Sequence, residues 1–377
     1  MNYAYFLGKA SLKASNELHQ HHRSELSKLS QRLKSMAESD KIVLVGLGNP
    51  LLDISASVPD SVLTKYGLEP ANAILAEEKH MELYKELVDS YEVQYIAGGA
   101  TQNSIRVAQW MLSEAGLTGF MGAIGSDDFG GKLAACAKED GVEAHYYVDD
   151  STPTGTCAVL VNSGDRSLVA NLAAANNFTP AHLDTERAKA MVDSAKFFYI
   201  ASFFLTVSVD AILNIAKPAA ESGKVLAMNL SAPFLVQFFG EQMSAALPYC
   251  DYVFGNESEA AAFGEKQGWG TDVATVALKL AAMPKACGTR ARIVVFTQGS
   301  ESTIVASGGV TTEYKVDVLP KDKLVDTNGA GDAFVGGFLA QLVKNESIDK
   351  CVDAGHWASR VVIQRSGCTF PSTCEYQ

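Results

Sequence analysis

The stretch DTNGAGDAFVGGF, residues 326–338, carries the strongest structural signal in the chain. Its small residues at 329–331 allow a ligand to approach the backbone closely. The apolar residues that recur from Ala333 onward predict a helix with Asp332 in its first turn. The N–H groups of such a loop, together with the positive end of the helix dipole, favour an anion. We therefore predict a glycine-rich loop that opens a helix and faces a negatively charged ligand.

Asp332 has two interpretations. As a catalytic base, it would accept the proton of a substrate hydroxyl while that oxygen bonds to phosphorus, which typically accelerates a reaction by roughly 10²–10⁴. As a structural residue, it would stabilise the helix N-terminus by about 0.3–1 kcal/mol, with Gly329 and Gly331 forming a turn. The grouping of two acidic residues, Asn328 and three small residues favours the catalytic interpretation.

The bulk composition places the chain among globular intracellular proteins. With 377 residues and 47% apolar residues, it can bury the core of one large α/β domain, with or without a smaller appendage. It contains no apolar run near the roughly 20 residues that a membrane helix needs, and its N-terminus lacks the apolar core of a secretory signal. Seven scattered cysteines without C-x-x-C pairs suit a reducing compartment, so we expect cytoplasmic and also nuclear locations.

The charge of the chain argues against two classes of partner. A formal net charge of −12 and a pI near 5.1 leave no basic excess to neutralise the phosphates of a nucleic acid or an anionic membrane. A small phosphorylated ligand stays compatible with this charge, because helix N-termini, backbone amides and Mg²⁺ can hold phosphates. We therefore expect small-molecule partners and a monomeric chain.

The order of apolar patterns predicts a parallel sheet. Short runs rich in β-branched residues predict buried strands at 42–45, 197–200, 225–228, 252–254 and 293–296. Helical patterns lie between them, at 101–115, 207–220 and 271–282 among others. Strands alternating with helices indicate βαβ units, with helices on both faces of the sheet.

Two segments depart from this alternation. The segment 141–177 has short runs at 145–148, 156–161 and 167–172 with a turn at Ser163-Gly164-Asp165, which predicts antiparallel hairpins. The segment 54–75 is similar but less clear. Such strands would form a lid over a ligand cleft. The polar residues 1–39 are set aside as an extension.

Several strings together resemble one family. The stretch at 326–338 is similar to the C-terminal signature of the ribokinase-like (PfkB) family of carbohydrate and nucleoside kinases. Five further strings resemble the members of that family that phosphorylate adenosine. They are GNPLLD at 48–53, AGGATQNS at 97–104, NLSAPF at 229–234, FGNESEA at 254–260 and GCTFP at 367–371. The resemblance covers about 42–371, nearly everything beyond the extension.

The resemblance implies a fold and an activity. The fold is a ribokinase-like, doubly wound, mostly parallel α/β sheet at 40–53, 99–141 and 178–377, with a small lid domain at 54–98 and 142–177. The activity is phosphorylation of the adenosine 5′-hydroxyl by ATP, with Mg²⁺ and in some relatives a monovalent cation near Asp326 and Thr327. The alternatives are another nucleoside or sugar kinase of the family, or a silent nucleoside-binding protein.

A sugar site is indicated by two glycines and two polar residues. Gly98 and Gly99 let a ligand approach backbone amides, Asn103 offers a donor and an acceptor, and Asp53 could bind two vicinal hydroxyls, although alone it would be read as a turn or cap. The resemblance assigns them to the ribose. At Ala100 the chain departs from the family pattern, because relatives often carry Ser there. Further substrate contacts implied by the resemblance are Asn49, Leu51, Leu75, Cys157, Leu168, Ala170, Leu172, Phe204 and Asn328.

A phosphate and metal site is indicated at strand ends. Asn256 and Glu259 are three residues apart at a helix start, which a capping box explains equally well. The resemblance makes them the organisers of Mg²⁺, mainly through water, and adds Asn229 on the phosphate side. The catalytic set it implies is Asp332 with Gly329, Ala330, Gly331 and Arg166.

The remaining candidates have weaker signals. Arg166 follows the hairpin turn, where it is either a mobile donor to phosphates or an ordinary surface arginine. Thr297 and Gly299 end a strand, where open α/β sheets bind ligands. His356 lies in a helix, and the resemblance places it near the ATP base, although a partly buried polar histidine is an equal alternative.

Overall fold

The computed structural model describes residues 41–70, 72–162, 165–286 and 290–377. The predicted extension at 1–39 and the first two residues of the predicted turn at 163–165 lie outside them. Among the described residues, no helix is long and apolar enough to cross a membrane.

The described strands form two sheets. In chain order they are β1 Leu44–Leu47, β2 Leu51–Ser57, β3 Ala73–Leu75, β4 Gln94–Gly98, β5 Thr118–Gly125, β6 Glu143–Asp149, β7 Thr156–Asn162, β8 Asp165–Asn171, β9 Phe197–Ala201, β10 Val225–Asn229, β11 Tyr252–Asn256, β12 Ile293–Gln298, β13 Glu301–Ser307 and β14 Val310–Tyr314. The larger sheet has the order β14-β13-β12-β11-β10-β9-β1-β5-β6, and the smaller has the order β3-β8-β7-β2-β4.

The described α-helices alternate with these strands. They are α1 Asp60–Tyr66, α2 Met81–Ser90, α3 Ala100–Leu112, α4 Asp128–Glu139, α5 Glu186–Ser194, α6 Val209–Glu221, α7 Pro233–Phe238, α8 Gly240–Ala246, α9 Glu257–Lys266, α10 Val273–Ala281, α11 Ala330–Val343 and α12 Ile348–Val362. Short 3₁₀ turns, such as Ser202–Thr206, connect several of them.

The larger sheet confirms the predicted parallel architecture. All neighbours from β12 through β6 run parallel, and β13 and β14 add an antiparallel edge. The five strands predicted from apolar runs are β1, β9, β10, β11 and β12, and the three predicted helices are α3, α6 and α10. Because side chains alternate along a strand, Phe198 and Ile200 of β9 enter a core with α5, α6 and α10. Phe197 and Tyr199 enter the opposite core with α3, α11 and α12, so helices cover both faces.

The smaller sheet is mixed rather than purely antiparallel. The predicted hairpin of β7 and β8 is confirmed, and β2 also runs antiparallel to β4. However, β2 pairs with β7 and β3 with β8 in parallel. Ala158 and Leu160 of β7 face a core with α1 and α2, whereas Cys157 and Val159 face the other side. One face of this sheet is therefore left for a ligand.

One predicted hairpin strand is wrong. The run at 145–148 lies in β6, which pairs in parallel with β5 at the edge of the larger sheet. Its polar alternation, which suggested a hairpin, reflects this edge position, because all but one of its residues are partly buried or exposed. The predicted boundary of the small domain at 142 thus does not coincide with the boundary between the sheets.

Helices α3 and α11 cross at a glycine. A Cβ atom on Gly336 would lie 2.6 Å from the Ser104 carbonyl oxygen and 2.6 Å from Val107 Cβ. This close approach places the N-terminal turns of both helices at the same end of the sheet, and those turns carry Asn103 and Asp332. The glycine is therefore needed for the relative position of two predicted site residues.

We predict that Gly336→Ala lowers the free energy of unfolding by about 1–3 kcal/mol, because the added methyl overpacks the helix crossing. Urea denaturation measures this change. The matched control is Gly131→Ala in α4, where an added Cβ meets no atom within 4 Å. There the change should stabilise by about 0.5–1 kcal/mol through helix propensity. Equal stabilities of the two variants would contradict this account of the crossing.

Candidate active site

A cavity of about 490 Å³ lies between the carboxyl ends of the parallel strands and the open face of the small sheet. Strands β9, β10 and β11 end at it with Ala201, Asn229 and Asn256. This is where ligands of open α/β sheets bind. Most of the predicted site residues line this cavity: Asn49, Leu51, Asp53, Leu75, Gly99, Asn103, Cys157, Arg166, Leu168, Ala170, Leu172, Phe204, Asn229, Asn256, Glu259, Asn328, Gly329, Gly331 and Asp332.

The glycine-rich loop has the predicted form. Gly329 is the N-cap of α11 with φ 76°, and a Cβ there would lie 2.8 Å from Cys368 Cβ, so only glycine fits. Ala330 begins the helix without lining the cavity. A Cβ on Gly331 would meet no atom within 4 Å, so the backbone at this position is open to a ligand. The first-turn N–H groups of a helix have no partners within it and can bind an anion.

Asp326 holds this loop in place. Its carboxylate accepts hydrogen bonds from the backbone N–H groups of Asn328 and Gly367, each at 2.8 Å. It also forms an ion pair with Arg166, with 2.8 Å between Nε and Oδ1. Asp326 is 2% exposed. Sequence reasoning had connected this residue only with a monovalent cation, and its role in ordering the loop was missed.

Asp332 lies in the first turn of α11 and touches Asn103. Asn103 Nδ2 donates a hydrogen bond to Asp332 Oδ2 at 3.0 Å. Burial raises the pKa of Asp332 to about 6, and the Asn103 hydrogen bond opposes that rise. A carboxylate with this pKa is mostly ionised at neutral pH and is a stronger base than an ordinary aspartate. Both properties suit a group that accepts a proton.

Asp53 is packed against the first glycine of the predicted pair. A Cβ on Gly98 would lie 2.3 Å from Asp53 Oδ1, so glycine makes room for this carboxyl group. Burial raises the pKa of Asp53 to about 8, and the negative charge of Asp332 adds to the rise while Arg106 opposes it. Gly98 itself does not line the cavity, whereas Asp53 and Gly99 do.

Two buried acceptors in this cavity lack protein partners. Asn49 Oδ1 and Asn103 Oδ1 have no hydrogen-bond donor among the described residues. Asn49 Nδ2 donates to the Phe203 carbonyl at 3.3 Å, which orients the free oxygen. Buried polar atoms are nearly always hydrogen-bonded, so these oxygens indicate a ligand with donor groups, such as hydroxyls.

One wall of the cavity is apolar, as predicted. Leu51, Cys157, Leu168, Ala170 and Leu172 form a single cluster on the open face of the small sheet, with Leu75 beside them on β3. These side chains offer a flat apolar ligand the burial that it prefers. The sequence analysis missed Ala73 and Ile74, which also line the cavity. Their strand has only three residues, which is too short to show an alternation of buried and exposed side chains.

Two neighbouring aromatic rings also line the cavity. Phe203 and Phe204 both line the cavity from the 3₁₀ turn Ser202–Thr206. Phe204 is fully buried, and its ring meets the ring of Phe178 edge to face at 5.4 Å between centroids. Phe203 is the more exposed of the two. Both rings are therefore in position to contact an aromatic ligand from one side.

Asn256 and Glu259 form the capping box that was the alternative interpretation. Asn256 Oδ1 accepts from Glu259 N at 2.9 Å, and Glu259 Oε2 accepts from Asn256 N at 3.0 Å. Both side chains nevertheless line the cavity, and burial raises the pKa of Glu259 to about 7. Oxygen donors at this position fit Mg²⁺, although no group of three or more acidic, His or Cys side chains among the described residues could hold a metal alone. A magnesium ion would thus take most ligands from phosphates and water.

Asn229 is joined by a residue that sequence reasoning missed. Ser231 has φ 71°, donates its N–H to Asn229 Oδ1 at 2.9 Å, and lines the cavity. A left-handed backbone is uncommon for serine and often marks functional sites. The string NLSAPF held the only signal for it.

Arg166 is neither a surface residue nor mobile in this conformation. It is 8% exposed and its guanidinium is held by Asp326 and by the Val325 carbonyl at 3.3 Å. Both sequence interpretations assumed an exposed turn, but Arg166 lies inside β8, next to the cavity. The ion pair connects the small sheet to the glycine-rich loop.

Besides Gly98 and Ala330, three more predicted residues do not line the cavity. Thr297 is the last but one residue of β12 and pairs with Asn256, and Gly299 follows the strand with φ 57° in an open turn. His356 Nε2 bonds with Thr303 Oγ1 at 2.8 Å, and its ring packs on Phe334. For His356 the structure matches the alternative of a partly buried polar histidine.

Comparison with known proteins identifies the family. The model of the pfkB family carbohydrate kinases matches residues 62–374. The chain is 55% identical over 335 residues to adenosine kinase 2 of Arabidopsis thaliana, covering 89% of this chain and 97% of that protein. It is 48% identical over 332 residues to adenosine kinase of Dictyostelium discoideum, covering 88% and 97%. The chain belongs to the pfkB family of carbohydrate kinases.

Solved structures agree with this assignment. Anopheles gambiae adenosine kinase in complex with P1,P4-di(adenosine-5) tetraphosphate has a TM-score of 0.87 at 49% identity, covering 89% of this chain and 99% of that chain. Schistosoma mansoni adenosine kinase in complex with adenosine and AMP has a TM-score of 0.83 at 35% identity, covering 88% and 98%. The ribokinase-like fold predicted from the sequence is confirmed.

The burial of Asp53 predicts a pH-dependent stability. Its pKa of about 8 in the folded chain exceeds the ordinary 3.8, so the folded state keeps a proton that the unfolded state releases. The contribution of Asp53 to stability is therefore lost as the pH rises from about 4 to 8. Relative to wild type, Asp53→Asn should gain about 2–4 kcal/mol of unfolding free energy between pH 5 and pH 8. Urea denaturation at both pH values measures this.

Asp272 provides a control of opposite sign. Hydrogen bonds from Thr275 lower the pKa of this helix-capping carboxylate, so it stabilises the fold once ionised. Asp272→Asn should therefore lose stability at both pH values. A difference between Asp53→Asn and wild type that does not change with pH would refute the burial of that charge.

Proposed function

We propose that the chain transfers the terminal phosphoryl group of ATP to the 5′-hydroxyl of adenosine, giving AMP and ADP. The observation that carries this proposal is the position of Asp332: it stands in the first turn of a glycine-opened helix, in contact with Asn103, in a cavity that also holds Asp53. The adenosine kinases of similar sequence and structure support the choice of substrate.

The reaction follows from the placement of the carboxylate and the amides. Asp332 accepts the 5′-hydroxyl proton as the oxygen forms its bond to the terminal phosphorus and ADP leaves with the electrons of the broken P–O bond. Of the N–H groups at 329–332, that of Ala330 donates to the Thr327 carbonyl at 3.2 Å. The other three face the negative charge that grows on the transferred group, which lowers the barrier. Asn103 holds Asp332 in the orientation needed for this transfer. Most of the catalysis is positioning.

The nucleoside has a defined orientation in this proposal. Asp53 accepts both ribose hydroxyls beside Gly98 and Gly99, and the free oxygens of Asn49 and Asn103 receive further donors. The base lies between the aromatic pair and the apolar wall, where a flat ring system is buried without leaving charges unpaired.

The nucleotide side is less enclosed. Asn229 with Ser231, and Asn256 with Glu259, line the cavity near Gly331, and a bound Mg²⁺ would supply positive charge to the phosphates there. Arg166 would contact phosphates only after leaving Asp326. Thr297, Gly299 and His356 would contribute if ATP extends past the cavity. The Asp326 carboxylate gives a monovalent cation little support, because three donors already hold it.

The proposal includes a cellular setting. We retain as predictions a monomeric chain, a cytoplasmic and also nuclear location, and a role in purine salvage. The acidic chain, with a net charge of −12, supports small-molecule partners rather than nucleic acid.

A substrate panel tests the function. Purified chain is assayed for ADP formation from ATP and Mg²⁺ with adenosine, inosine, guanosine, ribose or fructose. Adenosine should give the highest kcat/KM, because an apolar wall and aromatic rings bury a base that free sugars lack. Preference for ribose or fructose would reject the nucleoside, and no ADP with any acceptor would indicate a silent binding protein.

Replacing the base tests the mechanism. Asp332→Asn keeps the shape of the side chain but cannot accept a proton, so kcat should fall by roughly 10² or more while the Kd for adenosine stays near the wild-type value. Stopped assays give kcat and calorimetry gives Kd. Near-normal turnover would remove Asp332 from the role of base.

A further inference from the structure

Arg106 is a buried arginine behind the active site rather than in it. It lies on α3, one turn after Asn103, is 5% exposed, and does not line the cavity. Its Nε forms an ion pair with Asp140 at 2.5 Å, and its guanidinium lies 5.4 Å from the centre of the Phe370 ring. Sequence reasoning gave Arg106 no role, because the motif AGGATQNS ends two residues before it.

One guanidinium nitrogen reaches strand β4, which ends at the first glycine of the pair. Arg106 Nη1 donates to the Ala97 carbonyl at 3.2 Å. Ala97 is followed directly by Gly98, against which the Asp53 carboxyl group is packed. The position of this carbonyl therefore sets the position of the proposed sugar site.

The same nitrogen reaches the support of the glycine-rich loop. Arg106 Nη1 also donates to the Cys368 carbonyl at 3.4 Å. Cys368 packs directly beneath Gly329, and its neighbour Gly367 donates its N–H to Asp326 at 2.8 Å. Since Asp326 orders the glycine-rich loop, this second contact fixes the proposed phosphate site.

We propose that Arg106 is a positioning residue. It holds the end of β4 at Ala97 and the segment at Cys368, beneath the glycine-rich loop, at a fixed spacing. It also supplies positive charge that favours the ionised form of Asp53, which accepts the ribose hydroxyls. This inference rests on the proposed function, because it assigns Asp53 to the sugar. It adds a residue that touches neither substrate.

The charges around Asp53 support the electrostatic part of the proposal. Asp332 and Asp326 raise the pKa of Asp53, whereas Arg106 lowers it. Burial and the charge of Asp53 raise the pKa of the Cys157 and Cys368 thiols, so both stay neutral. The field at Asp53 is otherwise negative, so removal of Arg106 would leave its carboxyl group protonated over a wider range of pH.

The test compares Arg106→Met with Arg106→Lys in the full chain. The Kd for adenosine is measured by calorimetry from pH 6 to pH 9, together with kcat, KM and Tm. For wild type, binding should tighten as the pH rises through the titration of Asp53. Arg106→Met should move the midpoint of this dependence to higher pH by about one unit, weakening binding at pH 7 by roughly tenfold. Arg106→Lys keeps the charge, so its midpoint should match wild type while kcat falls several-fold as the loop spacing relaxes.

A distant buried cation provides the matched control. Lys285 is similarly buried and pairs with Asp251 at 2.5 Å, at the opposite end of the larger sheet and outside the cavity. Lys285→Met should lower Tm without moving the pH midpoint for adenosine or changing kcat by more than about twofold. If Arg106→Met only lowers Tm in the same way, Arg106 is merely structural and the proposal is overturned.

Two further outcomes separate this proposal from the function. If Arg106→Met does not fold, Arg106→Lys decides, because an unchanged kcat would overturn the positioning role. If wild type does not bind adenosine at any pH, the proposed function fails. If wild type binds adenosine with no pH dependence, the function stands and the electrostatic role of Arg106 is rejected.

Discussion

The hydrogen bond between Asn103 and Asp332 is the contact on which the site depends, because it joins the first turns of two helices. Its 3.0 Å length requires α3 and α11 to cross closely, and Gly336 allows this by leaving room for the Ser104 carbonyl. Any side chain at Gly336 would separate the helices. The packing of the core thus determines the distance between the nucleoside side and the phosphate side of the cavity.

The same arrangement collects negative charge in a buried place. Asp53 and Asp332 line one cavity, Asp326 holds the glycine-rich loop beside it, and burial raises the pKa of Asp53 and of Asp332. Asp326 is compensated by Arg166 and backbone amides, whereas the positive charge of Arg106 opposes the rise in the pKa of Asp53. Such a site favours a ligand with hydroxyl donors, and beside it a second ligand whose phosphate is bound to a metal ion. Raised pKa values of this kind are common among the titratable groups of catalytic cavities.

Much of this organisation follows from local sequence, and the rest does not. The parallel strands and the loop before α11 were predictable, because apolar runs and small residues before a helical pattern have direct physical consequences. The edge strand β6 was not, because its alternation resembles that of a hairpin strand and pairing is decided by its distant neighbour β5. Similarly, the burial of Arg166 depends on Asp326, which is far along the chain. The long-range contacts of Asp326 with Gly367 and of Arg106 with Cys368 left no local signal.

In the proposed reaction, a carboxylate and a row of main-chain donors meet where a phosphate and an alcohol face each other. A crystal structure with adenosine and a non-hydrolysable ATP analogue tests it most directly. The account predicts an Asp332 oxygen within about 2.6–3.2 Å of the primary alcohol oxygen, with the amides at 329–332 directed at the terminal phosphate. A side chain of Asp332 turned away from that alcohol, with the triphosphate bound elsewhere, would contradict it.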